Sequence, residues 1–136
     1  MQRKYIVIGS LMAITMLGIA AIKPIKTRTG DYKNLTVLPA DISSKKLTKI
    51  MIDGFEDDLG VSCNFCHTEN KETHKPDYAS DEKPEKEIAR AMMRMTIDIN
   101  EKYFDLNQPM IGDSVLVVTC GTCHHGEPHP ENTAVQ

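Results

Sequence analysis

Aromatic side chains are nearly missing from this sequence. It has no tryptophan, 3 phenylalanines and 4 tyrosines in 136 residues. Aromatic rings bury more area per residue than other side chains, so the polypeptide alone can assemble only a modest core. Basic residues are also scarce beyond the N-terminus. Arg3, Lys4, Lys23, Lys26 and Arg28 are part of the 16 cations, whereas all 19 carboxylates lie from Asp31 onward. The stretch after Arg28 therefore has a net charge of about −8. That sign argues against nucleic-acid binding; it suits solubility or a basic partner. A βαβ pattern, a serine–histidine constellation and any cysteine near the N-terminal apolar run are missing too. The first absence argues against a thioredoxin-like redox pair, the second against nucleophilic hydrolysis, and the third against a lipidated N-terminus.

What the chain does have is four cysteines in two copies of one pattern: Cys63-Asn64-Phe65-Cys66-His67 and Cys120-Gly121-Thr122-Cys123-His124. C-x-x-C-H reads as a c-type haem attachment site. Two thiols add across the two vinyl groups of one haem and fix the porphyrin edge to a single turn of backbone. The histidine that follows is held under the iron and supplies one axial nitrogen. Structural zinc is the competing use of four cysteines. Zinc pairs of this type usually stand about 15–20 residues apart, whereas Cys66 and Cys120 are 54 positions apart. Zinc also has no need of a histidine after each pair. The reading is two covalently attached haem c groups, with Cys63, Cys66, Cys120 and Cys123 as thioether sites and His67 and His124 as axial ligands. The haems supply the apolar surface the sequence lacks, so the haem-free chain is expected to fold poorly.

Taken in order, residues 1–28 read as a signal peptide or an N-terminal membrane anchor with a basic linker. Tyr5 to Ile22 is an uncharged apolar run of 18 residues, long for a signal sequence and just sufficient to span a bilayer. Either use sends the remainder across the membrane, which predicts the periplasmic side of the bacterial cytoplasmic membrane. Residues 29–130 form the di-haem domain and 131–136 a flexible tail. Within the domain, Asp41 or Ser43 can cap a helix to about Asp58, with Leu47, Ile50, Met51 and Phe55 on one buried stripe and Gly60 as its stop. His67 to Pro84 reads as a polar loop. A second helix should run from Lys83-Pro84 to about Phe104, burying Ile88, Met92, Met95, Ile99 and Tyr103 and leaving Glu87, Arg90, Arg94 and Asp98 in solvent. Val115 to Val118 should pack extended beside the second haem. The fold class is mainly α: helix then haem motif, twice, with long irregular loops.

The sixth iron ligand separates electron transfer from ligand chemistry. Met51 is the sole methionine between Met16 and Met92 and is the candidate for the first site. Met92 and Met95 compete for the second; Met93 points about a third of a turn away. Any of them can equally be a core residue, since the thioether fills irregular gaps. His74 is a loop histidine that can reach an iron, and His125 should point away from the iron that His124 binds.

The chain resembles the N-terminal two-haem half of the photosynthetic reaction centre cytochrome c subunit family. The stretches that carry the resemblance are Val37-Leu38-Pro39, Met51, Leu59-Gly60 with the first haem motif, Glu87 to Thr96 with Ile99-Asn100, and Val118 through His124 with Gly126 and Pro128. The resemblance implies methionine ligation from the helix before each motif: Met51 for the first iron and Met92 for the second, with Met95 as second choice. The family carries four haems and this chain has motifs for two. The family also places a ligating histidine before its second motif, whereas residues 105–119 contain none. Nothing in the sequence itself indicates photosynthesis.

These readings predict an electron carrier rather than an enzyme. It would pass electrons between redox proteins or to a membrane electron-transfer complex. The alternative is a di-haem peroxidase or a gas-binding sensor with one open iron, in which Met51 is a core residue and His74 distal.

Overall fold

The computed structural model describes residue 30 and residues 32–130; the signal-or-anchor segment and the C-terminal tail lie outside the described residues. Helix α1 spans Ser44–Met51. Its start is local chemistry: the Ser43 hydroxyl accepts the Lys46 N–H at 3.2 Å, satisfying one of the unpaired amides of the first turn. The expected stripe packs inward, with Ile50 buried and Leu47, Met51 and Phe55 against the core. The helix does not stay α to its end. Ile52–Asp57 form a π-helical turn, with Gly54, a weak α-helix former, in its middle. Turns of this kind cluster at functional sites, and this one lies between Met51 and the first cysteine motif. Gly60 at φ 64° ends the helix in the left-handed region, as expected.

The polar stretch after His67 is more ordered than a loop. β1 (Thr68–Glu69) pairs antiparallel with β2 (Pro76–Asp77), Thr68 opposite Asp77. Asn70 organises the connection: its Oδ1 accepts the N–H groups of Glu72 and Thr73 at 3.0 and 2.9 Å. The architecture is thus helix-rich with one small hairpin.

Helix α2 spans Pro84–Phe104, with proline in the first turn and Asp105 at φ 53° as a left-handed stop. Its bounds match the sequence reading, but its buried face does not. Ile88, Met92, Met95 and Tyr103 are exposed, and the buried residues are Arg90, Met93, Thr96 and Asn100. The physical reason is hydrogen bonding. Asn100 is fully buried because its side chain satisfies the backbone at Val117 and Val118. Arg90 is buried because Asp81, Glu87 and the Asn34 carbonyl surround its guanidinium. Such demands turn a polar row inward and leave the apolar row outside. Met93 joins Leu38, Ile42, Ile50 and Ile111 in the core. The run Val115 to Val118 adopts turns and bends rather than an extended strand, and Val115 and Val117 are exposed.

Candidate haem sites

Cys63–Phe65 form a single 3-10 turn. The His67 N–H donates to the Cys63 carbonyl at 3.0 Å, so the histidine follows its thiols around one tight turn. The turn opens onto a cavity of about 680 Å³ whose walls include Met51, Phe55, Cys63, Cys66, His67 and Met93. Its volume is within the range of about 300–1,000 Å³ found for organic ligands. The His67 ring stands edge-on to Tyr78, with centroids 5.1 Å apart, and its Nδ1 is buried with no hydrogen-bond partner. Burial, then the Lys86 cation, lowers the His67 pKa against the opposing pull of the Tyr78 backbone. The ring is therefore a neutral imidazole at neutral pH, the form that ligates metals.

The thiols are free. Cys63 Sγ donates to Glu56 Oε1 at 3.3 Å, and that bond, with burial, raises its pKa. Burial raises the pKa of Cys66 and of Cys120, the latter with help from the Asp58 carboxylate. All three shifts favour the thiol over the thiolate.

The second motif is helix α3, Cys120–His124. Thr122 Oγ1 accepts the Thr119 N–H at 3.0 Å, closing a capping box. His125 ends the helix at φ 51° and is exposed. His124 Nδ1 lies 2.9 Å from the Glu127 carbonyl oxygen. A carbonyl only accepts, so Nδ1 is the donor in this contact, and Nε2 is the nitrogen it leaves free for a metal. A second nitrogen held in this way is the arrangement common among metal-binding histidines. Asn100 Nδ2 donates to the Val118 carbonyl at 2.7 Å and ties the approach to Cys120 onto α2.

Met51 thus lines the same cavity as Cys63, Cys66 and His67. Met92 and Met95 share the exposed apolar row of α2, at 39% and 46% exposure. Met93, set aside in the sequence reading, is the buried methionine and lines the first cavity. Its row runs through Thr96 and Asn100, so apolar periodicity gave no signal for it. His74 stands at the hairpin connection, its side chain 81% exposed, with Nδ1 2.8 Å from Glu69. Among the described residues no three His, Cys, Asp or Glu side chains are grouped where they could hold a metal ion.

Two C-x-x-C-H turns, one opening onto a largely apolar cavity and one whose histidine Nδ1 is held by a backbone carbonyl, fit thioether-bound haem and define a c-type cytochrome. The chain belongs to the photosynthetic reaction centre cytochrome c subunit family, whose description matches residues 15–136. It is 38% identical over 71 residues to cytochrome c-554 of Chloroflexus aurantiacus, a match covering 52% of this chain and 15% of that protein. It is 38% identical over 69 residues to the photosynthetic reaction center cytochrome c subunit of Rubrivivax gelatinosus, covering 51% of this chain and 15% of that one. The chain therefore aligns with only a small part of the curated relatives it matches. No solved structure matches it.

Proposed function

We propose that this protein is a di-haem electron carrier. Cys63 and Cys66 would hold one haem c, with His67 and Met51 as axial ligands; Cys120 and Cys123 would hold the second, with His124 and Met92. The observation that carries this reading is the meeting of Met51, Cys63, Cys66 and His67 around one cavity. Haem supplies a one-electron iron couple, and the protein supplies ligands and burial that set its potential. Met51 would offer a soft thioether and Phe55 apolar surface within the cavity that His67 also lines. Leu38 and Met93, both buried, add apolar lining to the same cavity. The Glu127 carbonyl holds His124 by Nδ1, which would leave Nε2 as the nitrogen to ligate. For the second iron, the exposed row of Ile88, Met92 and Met95 supports a methionine ligand from α2.

A peroxidase or gas sensor needs a displaceable ligand and a distal polar group. His74, the candidate for that role, is turned to solvent and Glu69 instead. The acidic domain suits a basic redox partner or a membrane electron-transfer complex. The periplasmic side of the membrane follows from the haem attachment chemistry and the N-terminal apolar run. Among the described residues no helix is long and apolar enough to cross a membrane, so anchoring would fall to residues 1–28. Carbon monoxide binding tests the carrier reading. The reduced holoprotein should bind it slowly or not at all, and rapid stoichiometric binding would establish an open iron.

A further inference from the structure

Asp58 joins the two cysteine motifs. It directly follows the π-helical turn that leads toward Cys63. Both its side chain and its backbone reach the second motif. Oδ2 accepts the Gly121 N–H at 3.0 Å, and the carbonyl accepts the Gly126 N–H at 3.0 Å. Gly121 lies between Cys120 and Cys123, and Gly126 lies two residues beyond His124. Two residues past Asp58, Gly60 meets the same place: a Cβ there would stand 2.2 Å from the Gly126 carbonyl oxygen.

The glycine inside the second motif has the same explanation. A Cβ on Gly121 would stand 2.8 Å from Asp58 Oδ1. The corresponding position of the first motif is Asn64, so the thioether chemistry does not itself demand glycine there. Here the Asp58 carboxylate occupies the space that a Cβ would take.

We propose that Asp58 is a positioning residue that sets the separation and mutual orientation of the two haem sites. The proposal rests on the di-haem reading above. The helix bearing Met51 is bonded to the entry and exit of the turn bearing His124, so one residue fixes one site against the other. Electron transfer between haems falls steeply with separation, and a side chain holding that separation controls the internal step without touching either iron.

Three variants of the holoprotein separate this role from general stability. Asp58→Ala removes the carboxylate. Asp58→Asn keeps an acceptor oxygen and removes the charge. Gly121→Ala pushes the carboxylate away while leaving the Asp58 backbone bond in place. Circular dichroism in the Soret region reads coupling between haems. Asp58→Ala and Gly121→Ala should each lose most of the coupled signal while the intact mass still shows both haems, and Asp58→Asn should keep it. Amide hydrogen exchange on the unaltered holoprotein needs no variant: Gly121 and Gly126 should exchange together, near the slow limit set by global unfolding. Free exchange at those two amides, or a coupled signal unchanged in Asp58→Ala and Gly121→Ala, overturns the proposal. The exchange result stands whatever haem number the mass shows, so failure of the di-haem reading is seen separately.

Discussion

Asn100 holds Val118 by its backbone at both ends of the peptide. Its Nδ2 donates to the Val118 carbonyl at 2.7 Å, and its Oδ1 accepts the Val118 N–H at 3.1 Å and the Val117 N–H at 2.8 Å. Nδ2 also donates to the Thr96 carbonyl at 2.9 Å. One fully buried amide thus satisfies the stretch that enters the second motif.

Asn100→Ala should therefore be costly. Removing the amide strands buried backbone groups at about 1–3 kcal/mol each where no water replaces it. We predict a loss of about 2–4 kcal/mol in denaturant unfolding of the holoprotein, and a stability within about 1 kcal/mol of the parent would show that water takes its place.

The cluster around Arg90 predicts an acid dependence. Hydrogen bonds from Asn34 and Arg90 hold the Asp81 carboxyl well below the usual carboxylate range, and Arg90 lowers Glu87 as well. Folded-state pKa values below the unfolded ones mean the unfolded chain binds protons first. The contribution is complete above the ordinary carboxylate pKa of about 4 and is lost as pH falls through the folded values. Asp81→Asn should flatten the acid limb of the stability curve below about pH 4 and leave its shape near neutrality unchanged. An acid limb identical to that of the parent would exclude this cluster as its source.

Gly60→Ala tests the junction of the two motifs. The left-handed backbone costs an L residue about 1–2 kcal/mol, and the added Cβ would collide with the Gly126 carbonyl, which is backbone and cannot swing aside. We predict destabilisation of more than about 2 kcal/mol by urea unfolding, whereas Gly54→Ala, whose Cβ meets nothing within 4 Å, should be neutral or stabilising.

The second sixth ligand is open to a spectroscopic choice. Met51→Ala and Met92→Ala should each remove part of the near-infrared sulfur-to-iron band of the oxidised protein. Met93→Ala should preserve the band and lower stability by about 2–4 kcal/mol, because that side chain is buried in the core. Loss of intensity in Met95→Ala with none in Met92→Ala would move the ligand by one turn of α2.

What could be read from the sequence was what chemistry fixes locally. The two motifs, the Ser43 cap, the stripe of α1, the Pro84 start of α2 and the left-handed Gly60 all follow from neighbouring residues. What could not be read depends on distant partners. Arg90 looked like a solvent residue because Asp81 and the Asn34 carbonyl, which bury it, approach from elsewhere in the chain. Asn100 is buried by bonds to Val117 and Val118, which likewise approach from elsewhere in the chain. α2 carries two candidate inner faces, and apolar periodicity selected the row that the polypeptide leaves uncovered. The hairpin was hidden because two-residue strands carry no period, and the π turn because single-turn departures from α-helix leave no pattern.

The intact mass of the protein matured in its native host tests the central claim most directly. Two haem additions on one polypeptide, stable to denaturation, are the predicted result. A bare polypeptide, or a single addition, would contradict it.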